Sequence, residues 1–148
     1  MKFECHVDIN LPLLRVGELF DSEENIPKWQ DGFKSFEHLS GEKGKAGAKA
    51  KIVYQQGKRE IELIETILVY NIPHEFTGQY EHKSMTNTMR NIFTALSENE
   101  TRWTAEIEYT KLNGFIVKLM AFLFPNMFKK QVQKWLNQFK AFAESEGV

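Results

Sequence analysis

The chain contains a single cysteine, Cys5, in 148 residues, which excludes an internal disulfide framework and any cysteine-based zinc cluster. It has no surplus of either charge, since 19 Lys and Arg stand against 20 Asp and Glu for a formal net charge of -1. Tracking a phosphate backbone takes a clustered excess of Lys and Arg, so no nucleic-acid partner is expected. Long hydrophobic runs are also missing. The most apolar stretch runs from Phe115 to Phe124 with Lys118 inside it, well short of the roughly 20 residues that cross a bilayer. The first ten residues are too charged for the apolar segment of a secretory signal, and the expected location is the cytoplasm. There is no Gly-x-Ser-x-Gly elbow, Cys5 has no evident base partner, and His6, His38, His74 and His82 lack metal-ligand spacing. A nucleophilic enzyme is therefore not indicated, and no metal or cofactor is called for.

What is present is ordinary globular material: 42% hydrophobic, 13% aromatic and 26% charged residues. At this length one domain, residues 1–148, can bury about 70% of the surface its unfolded chain would expose. Phe3, Cys5, Val7 and Ile9 alternate with polar residues, which predicts a half-buried strand. Leu14, Phe20, Ile26 and Trp29, broken by Gly17, Asp21-Ser22 and Pro27, fit two short helices, with Asp21 or Ser22 capping the second. Turn chemistry near residues 40–47, 55–58, 70–74, 82–85 and 97–100 divides residues 33–110 into six further strands, expected to pair as an antiparallel meander. Residues 112–146 read as a long helix that Pro125 kinks or interrupts. Beyond it Phe128, Val132, Trp135, Phe139 and Phe142 form one apolar stripe.

Val7 to Pro12, Trp29 after Asp21, Gly41, Gly47 and Gly57, the stretch from Glu65-Thr66-Ile67 to Pro73, and Thr101-Arg102-Trp103 resemble the START-like (SRPBCC) superfamily, which includes polyketide cyclase/dehydrase-like and birch-pollen-allergen-like proteins. The resemblance covers nearly the whole chain as pattern and order. It implies an α+β helix-grip fold: a curved seven-stranded antiparallel sheet wrapped around a long C-terminal helix, with two short helices between the first two strands. It implies a pocket rather than a reaction, because no invariant catalytic signature defines the group.

Pairing across the turns assigns the faces. A two-residue loop at Gln56-Gly57 sets Ile52 opposite Ile61, Ala50 opposite Leu63 and Tyr54 opposite Arg59 on the inner face, with Lys51 opposite Glu62 outside. Ala46, Ala48 and Ala50 then leave space on the inner face, to be filled by a ligand or by Trp135 and Phe139 from the helix. Glu65 falls inside between Leu63 and Ile67 unless a bulge near Ile64 turns it out. If inside, burial raises its pKa. A hairpin at Glu98-Asn99 sets Ile92 opposite Ala105 and Arg90 opposite Ile107, which directs Arg90 inward to bind a carboxylate or neutralise Glu65, or else to the wet rim. The loop Gly41, Gly44, Gly47 with Lys43, Lys45 and Lys49 lacks the strand-to-helix context of a phosphate cradle and reads as a solvated hairpin.

These assignments nominate Ile52, Tyr54, Glu65, Ile67, Tyr80, Arg90, Ile92, Trp103, Ile107, Phe128 and Val132 as ligand-binding residues in a cavity between sheet and helix. The expected function is binding of a small lipophilic molecule: a lipid, polyketide-like or aromatic. The alternative is a cyclase or dehydratase acting on such a molecule, with Glu65 or His82 as general base and Arg90 stabilising an enolate. A protein-interaction domain using the outer sheet face is disfavoured by the charges there. The segment from Phe115 to Phe124 is apolar all round, so its second face needs cover: loops of the same chain, a homodimer partner or a transient membrane contact.

Overall fold

The computed structural model describes residues 1–147. Strand β1 (Lys2–Ile9) leads into α1 (Leu13–Asp21), a short 3-10 turn and α2 (Ile26–Trp29). Six strands follow: β2 (Phe33–Ser40), β3 (Lys49–Gln56), β4 (Arg59–Asn71), β5 (Glu75–Glu81), β6 (Met85–Ser97) and β7 (Glu100–Leu112). Helices α3 (Phe115–Leu123) and α4 (Pro125–Glu146) close the chain. The strands form one antiparallel sheet in the order β1-β7-β6-β5-β4-β3-β2. Each short turn places sequential strands side by side, and only β1 crosses to pair with β7.

The apolar stripe of α4 is buried through Val132, Leu136, Phe139 and Phe142, and the helix lies chiefly against β1. Phe20 of α1 is at the centre of an aromatic cluster, with ring centroids 4.9 Å from Phe93, 5.4 Å from Trp103 and 6.1 Å from Phe139. Trp29 of α2 packs edge-on against Trp103 and Phe139. Pro125 interrupts the terminal helix completely, because Phe124 before it leaves the helical region at φ -130 and ψ 57. The expected side-chain cap on α2 is not made. Asp21 ends α1 and accepts a hydrogen bond from the Tyr70 hydroxyl at 2.5 Å instead, and Ser22 makes no capping bond.

Two registers differ from expectation, with opposite consequences. The β3–β4 loop is Gly57-Lys58, so Ile52 faces Leu63, Tyr54 faces Ile61, and Val53, not Lys51, faces Glu62. Gly57 takes the left-handed backbone the turn needs, at φ +62. The shift is two residues, an even number, so every side chain keeps its face, and Lys51 pairs with Glu37 at 3.4 Å. Between β6 and β7 an irregularity lies between Ala95 and Ser97, beyond which the register moves by one: Phe93 faces Trp103, Asn91 faces Ala105 and Arg90 faces Glu106. That slip turns β6 over. Met89, Asn91 and Phe93 join the concave face, whereas Arg90 and Ile92 point outward.

Candidate functional site

The interior has two ends of different character. At one, Trp103 is 1% exposed and its indole N–H donates to Asn91 Oδ1 at 2.9 Å, while Asn91 Nδ2 donates to the Phe76 carbonyl at 3.0 Å. This end is packed solid. Trp103 faces inward as expected, but its neighbours are Phe20, Trp29, Phe93 and Phe139.

At the other end the concave face is only half covered: Tyr54, Ile61, Leu63, Tyr80, Asn87, Met89, Tyr109 and Phe128 are all half-buried. The strand registers align Ala50, Glu65, Tyr80, Asn87 and Tyr109 as one row across β3, β4, β5, β6 and β7. Four of the five are polar, side by side on a mostly apolar face. Helix α4 spans this row on two aromatic posts. Trp135 stacks on Tyr54 at 5.5 Å near one edge, and Phe128 meets Tyr109 at 5.0 Å near the other. Between the posts, the polar groups of the row lie on the concave face of the sheet. Ile52, Ile67, Ile107 and Val132 beside them are buried.

Gly78 shapes that face. A Cβ there would lie 2.8 Å from the Tyr80 hydroxyl, so the absent side chain lets the Tyr80 ring fold back along its own strand. Glu65 is 7% exposed. The bulge of β4 occurs between Ile67 and Val69, not near Ile64, so it extrudes Leu68 and leaves Glu65 inside. Burial pushes the Glu65 carboxyl above its ordinary range, and the hydroxyl of Tyr80 offsets part of that rise. The phenols of Tyr80 and Tyr54 are raised by burial first and then by the nearby Glu65 carboxyl. Tyr54 donates to Gln30 Oε1 at 2.8 Å, and Tyr109 is pushed up to about 12 by burial. All three phenols are therefore neutral donors near neutral pH.

The expected inward cation is absent from this face. Arg90 lies on the outer face, exposed, between Glu75 at 3.4 Å and Glu106 at 3.2 Å; those carboxylates hold its pKa up. Glu65 and Arg90 are thus on opposite faces and form no pair. Ile92 faces out with Arg90 and is not on the concave face. His82 sits in the β5–β6 turn, where its Nδ1 accepts from the Ser84 amide at 3.1 Å. Among the described residues no group of three or more His, Cys, Asp or Glu side chains converges to hold a metal ion. Asn87 and Met89 share this concave face and Gln30 bonds Tyr54 beside it, and the sequence pattern places none of the three there. Pairing Asn87 with Tyr109 would have found the first two.

The architecture can now be compared with known structures. An aromatase/cyclase, Zhui, from Streptomyces sp. R1128 superposes with a TM-score of 0.81 at 9% identity, over 97% of this chain and 93% of that one. Major latex-like protein 151 from Panax ginseng gives 0.75 at 18% identity over 97% of both chains. Ara h 8.0201 gives 0.75 at 12% identity over 98% of both. The fold is the START-like helix grip. No family model and no curated protein matches the chain. The helix-grip neighbours share a sheet closed over a C-terminal helix, and at these identities the likeness extends to architecture alone.

Proposed function

We propose that this helix-grip protein binds a small, largely apolar, uncharged molecule in the cleft under the first half of α4. The observation that carries the reading is the row Glu65, Tyr80, Asn87 and Tyr109 on the floor of an apolar, half-covered space. The neutral phenols of Tyr80 and Tyr109, with the Asn87 amide, offer hydrogen-bond donors without a positive charge beside the buried Glu65 carboxyl. Among the inward positions of the cleft, none is Lys or Arg: Ile52, Tyr54, Glu65, Ile67, Tyr80, Ile107, Phe128 and Val132 supply its nominated lining. A ligand carboxylate would meet Glu65 with no counter-charge, and desolvating it there would cost several kcal/mol, on the order of the penalty for an unpaired buried ion. A neutral ring system with a carbonyl or hydroxyl suits the donors and the aromatic posts. That chemistry covers polyketide-like and aromatic molecules and disfavours free fatty acids. An enzyme of the cyclase or dehydratase kind draws on the same Glu65, yet with Arg90 outside the cleft an enolate would have only phenols to stabilise it.

Native mass spectrometry of the chain purified from its own host tests this reading. The parent carries a non-covalent small molecule, and a Leu63→Trp variant, which fills the cleft from a half-buried position, loses it. A parent that travels empty, or a filled variant that keeps the same adduct, contradicts the site.

A further inference from the structure

Helix α3 has an apolar surface with no cover. Phe115 is 78% exposed, Ile116 71% and Phe122 81%, with Leu119, Met120, Leu123, Phe124 and Met127 also exposed. Residues 115, 119, 122 and 123 recur at helical spacing, so they present one continuous face, and Val117 and Ala121 turn toward the protein, half-buried. The charge around this face is segregated. Between Tyr109 and Ala143 the sequence has no Asp or Glu and six lysines, although the whole chain carries a net charge of -1. Lys134 and Lys140 are engaged by Asp31 and Glu144. Lys111, Lys118, Lys129 and Lys130 are exposed on or beside α3. Asn113 at its base donates to the Ser84 carbonyl at 2.8 Å, which brings the exposed Lys83 of the β5–β6 turn to the same side.

We propose that α3 is a membrane-docking element that inserts Phe115, Ile116 and Phe122 among the acyl chains of an anionic bilayer while the lysines around it meet lipid phosphates. Aromatic and aliphatic tips with a cationic rim match an interfacial helix, and a helix of 9 residues is far too short to span. Among the described residues no helix is long and apolar enough to cross a membrane. A second copy is a poorer occupant: a two-fold contact would set α3 and its flanking lysines against themselves, in a segment that has no carboxylate of its own to pair with them.

Vesicle flotation with the full chain tests the proposal, using phosphatidylcholine alone and phosphatidylcholine with 30% phosphatidylglycerol as probes. The parent floats with the anionic vesicles and not with the neutral ones, and added salt weakens binding. A Phe115→Glu, Phe122→Glu variant keeps the parental melting temperature and loses flotation. Reversing Lys118, Lys129 and Lys130 to Glu lowers the partition at least ~100-fold, since each lysine at such a surface contributes roughly fivefold. A folded parent that ignores anionic vesicles overturns the proposal. So does a parent dimer in sedimentation velocity that Phe122→Glu dissociates, which assigns the face to a second copy. Unfolding of the double glutamate variant together with unchanged flotation of the lysine variant would place α3 in the core and overturn it as well. None of these readouts depends on whether the cleft binds a ligand.

Discussion

A carboxyl whose pKa is raised by burial makes the folded state less stable as pH rises. Glu65 is such a group: between its unfolded pKa, about 4.3, and its higher folded value the native chain holds more protons than the unfolded one. Stability falls through that window and levels off above it. Glu65→Gln removes the titration, so its melting temperature relative to the parent should climb as pH rises from about 4 toward neutral, in thermal melts across that range. A gap that stays constant with pH would mean that Glu65 is not buried. Asn91, at the opposite end, has a structural task. Its side chain satisfies both the Trp103 indole N–H and the Phe76 carbonyl, so Asn91→Leu strands one donor and one acceptor in a sealed core. Urea unfolding should register a loss of about 2–4 kcal/mol, far more than a volume change of that size produces.

Elements differ in what their apolar residues do, although the sequence alone presents α3 and α4 as one run broken by Pro125. In α4, Phe139 is 0% exposed, and Phe139→Ala should cost about 3–5 kcal/mol. In α3, Phe122→Ala should change stability by no more than about 0.5 kcal/mol. Amide hydrogen exchange should likewise be faster across Phe115–Leu123 than across the second half of α4, because α3 has no buried residue to hold it. Equal protection along both helices would contradict the separation. The strand order and the inner face of β3 and β4 were legible because alternation survives any even slip: the Gly57-Lys58 loop moved the pairs by two and left Glu65 inside. The face of β6 was not legible. An irregularity at residues 95–97 changes the parity, and Ile92 in place of Phe93 satisfies an apolar inner position equally well. That single residue of slip removed Arg90 from the site and brought in Asn87 and Met89.

At the scale of the whole molecule, packing is concentrated at one end of the grip. Phe20, Trp29, Phe93, Trp103 and Phe139 fill the space between sheet and helix there, which stabilises the fold and leaves the other end free to stay open. The packed core is realised at this end of the sheet, and the proposed ligand site lies at the other. Phenols, an amide and the buried Glu65 carboxyl lie on the concave face at the other end, and cations lie on the exterior, around α3. Selection of an uncharged ligand by the proposed site is tested by isothermal titration of the purified chain at pH 7 with 2-naphthol and with naphthalene-2-carboxylate. The two probes share a ring system and differ in charge. Saturable binding of 2-naphthol that weakens in Tyr80→Phe is expected, with at least ~100-fold weaker binding of the carboxylate, in line with the cost of burying an unpaired anion beside Glu65. Equal or tighter binding of the carboxylate, unaffected by Tyr80→Phe, would contradict it.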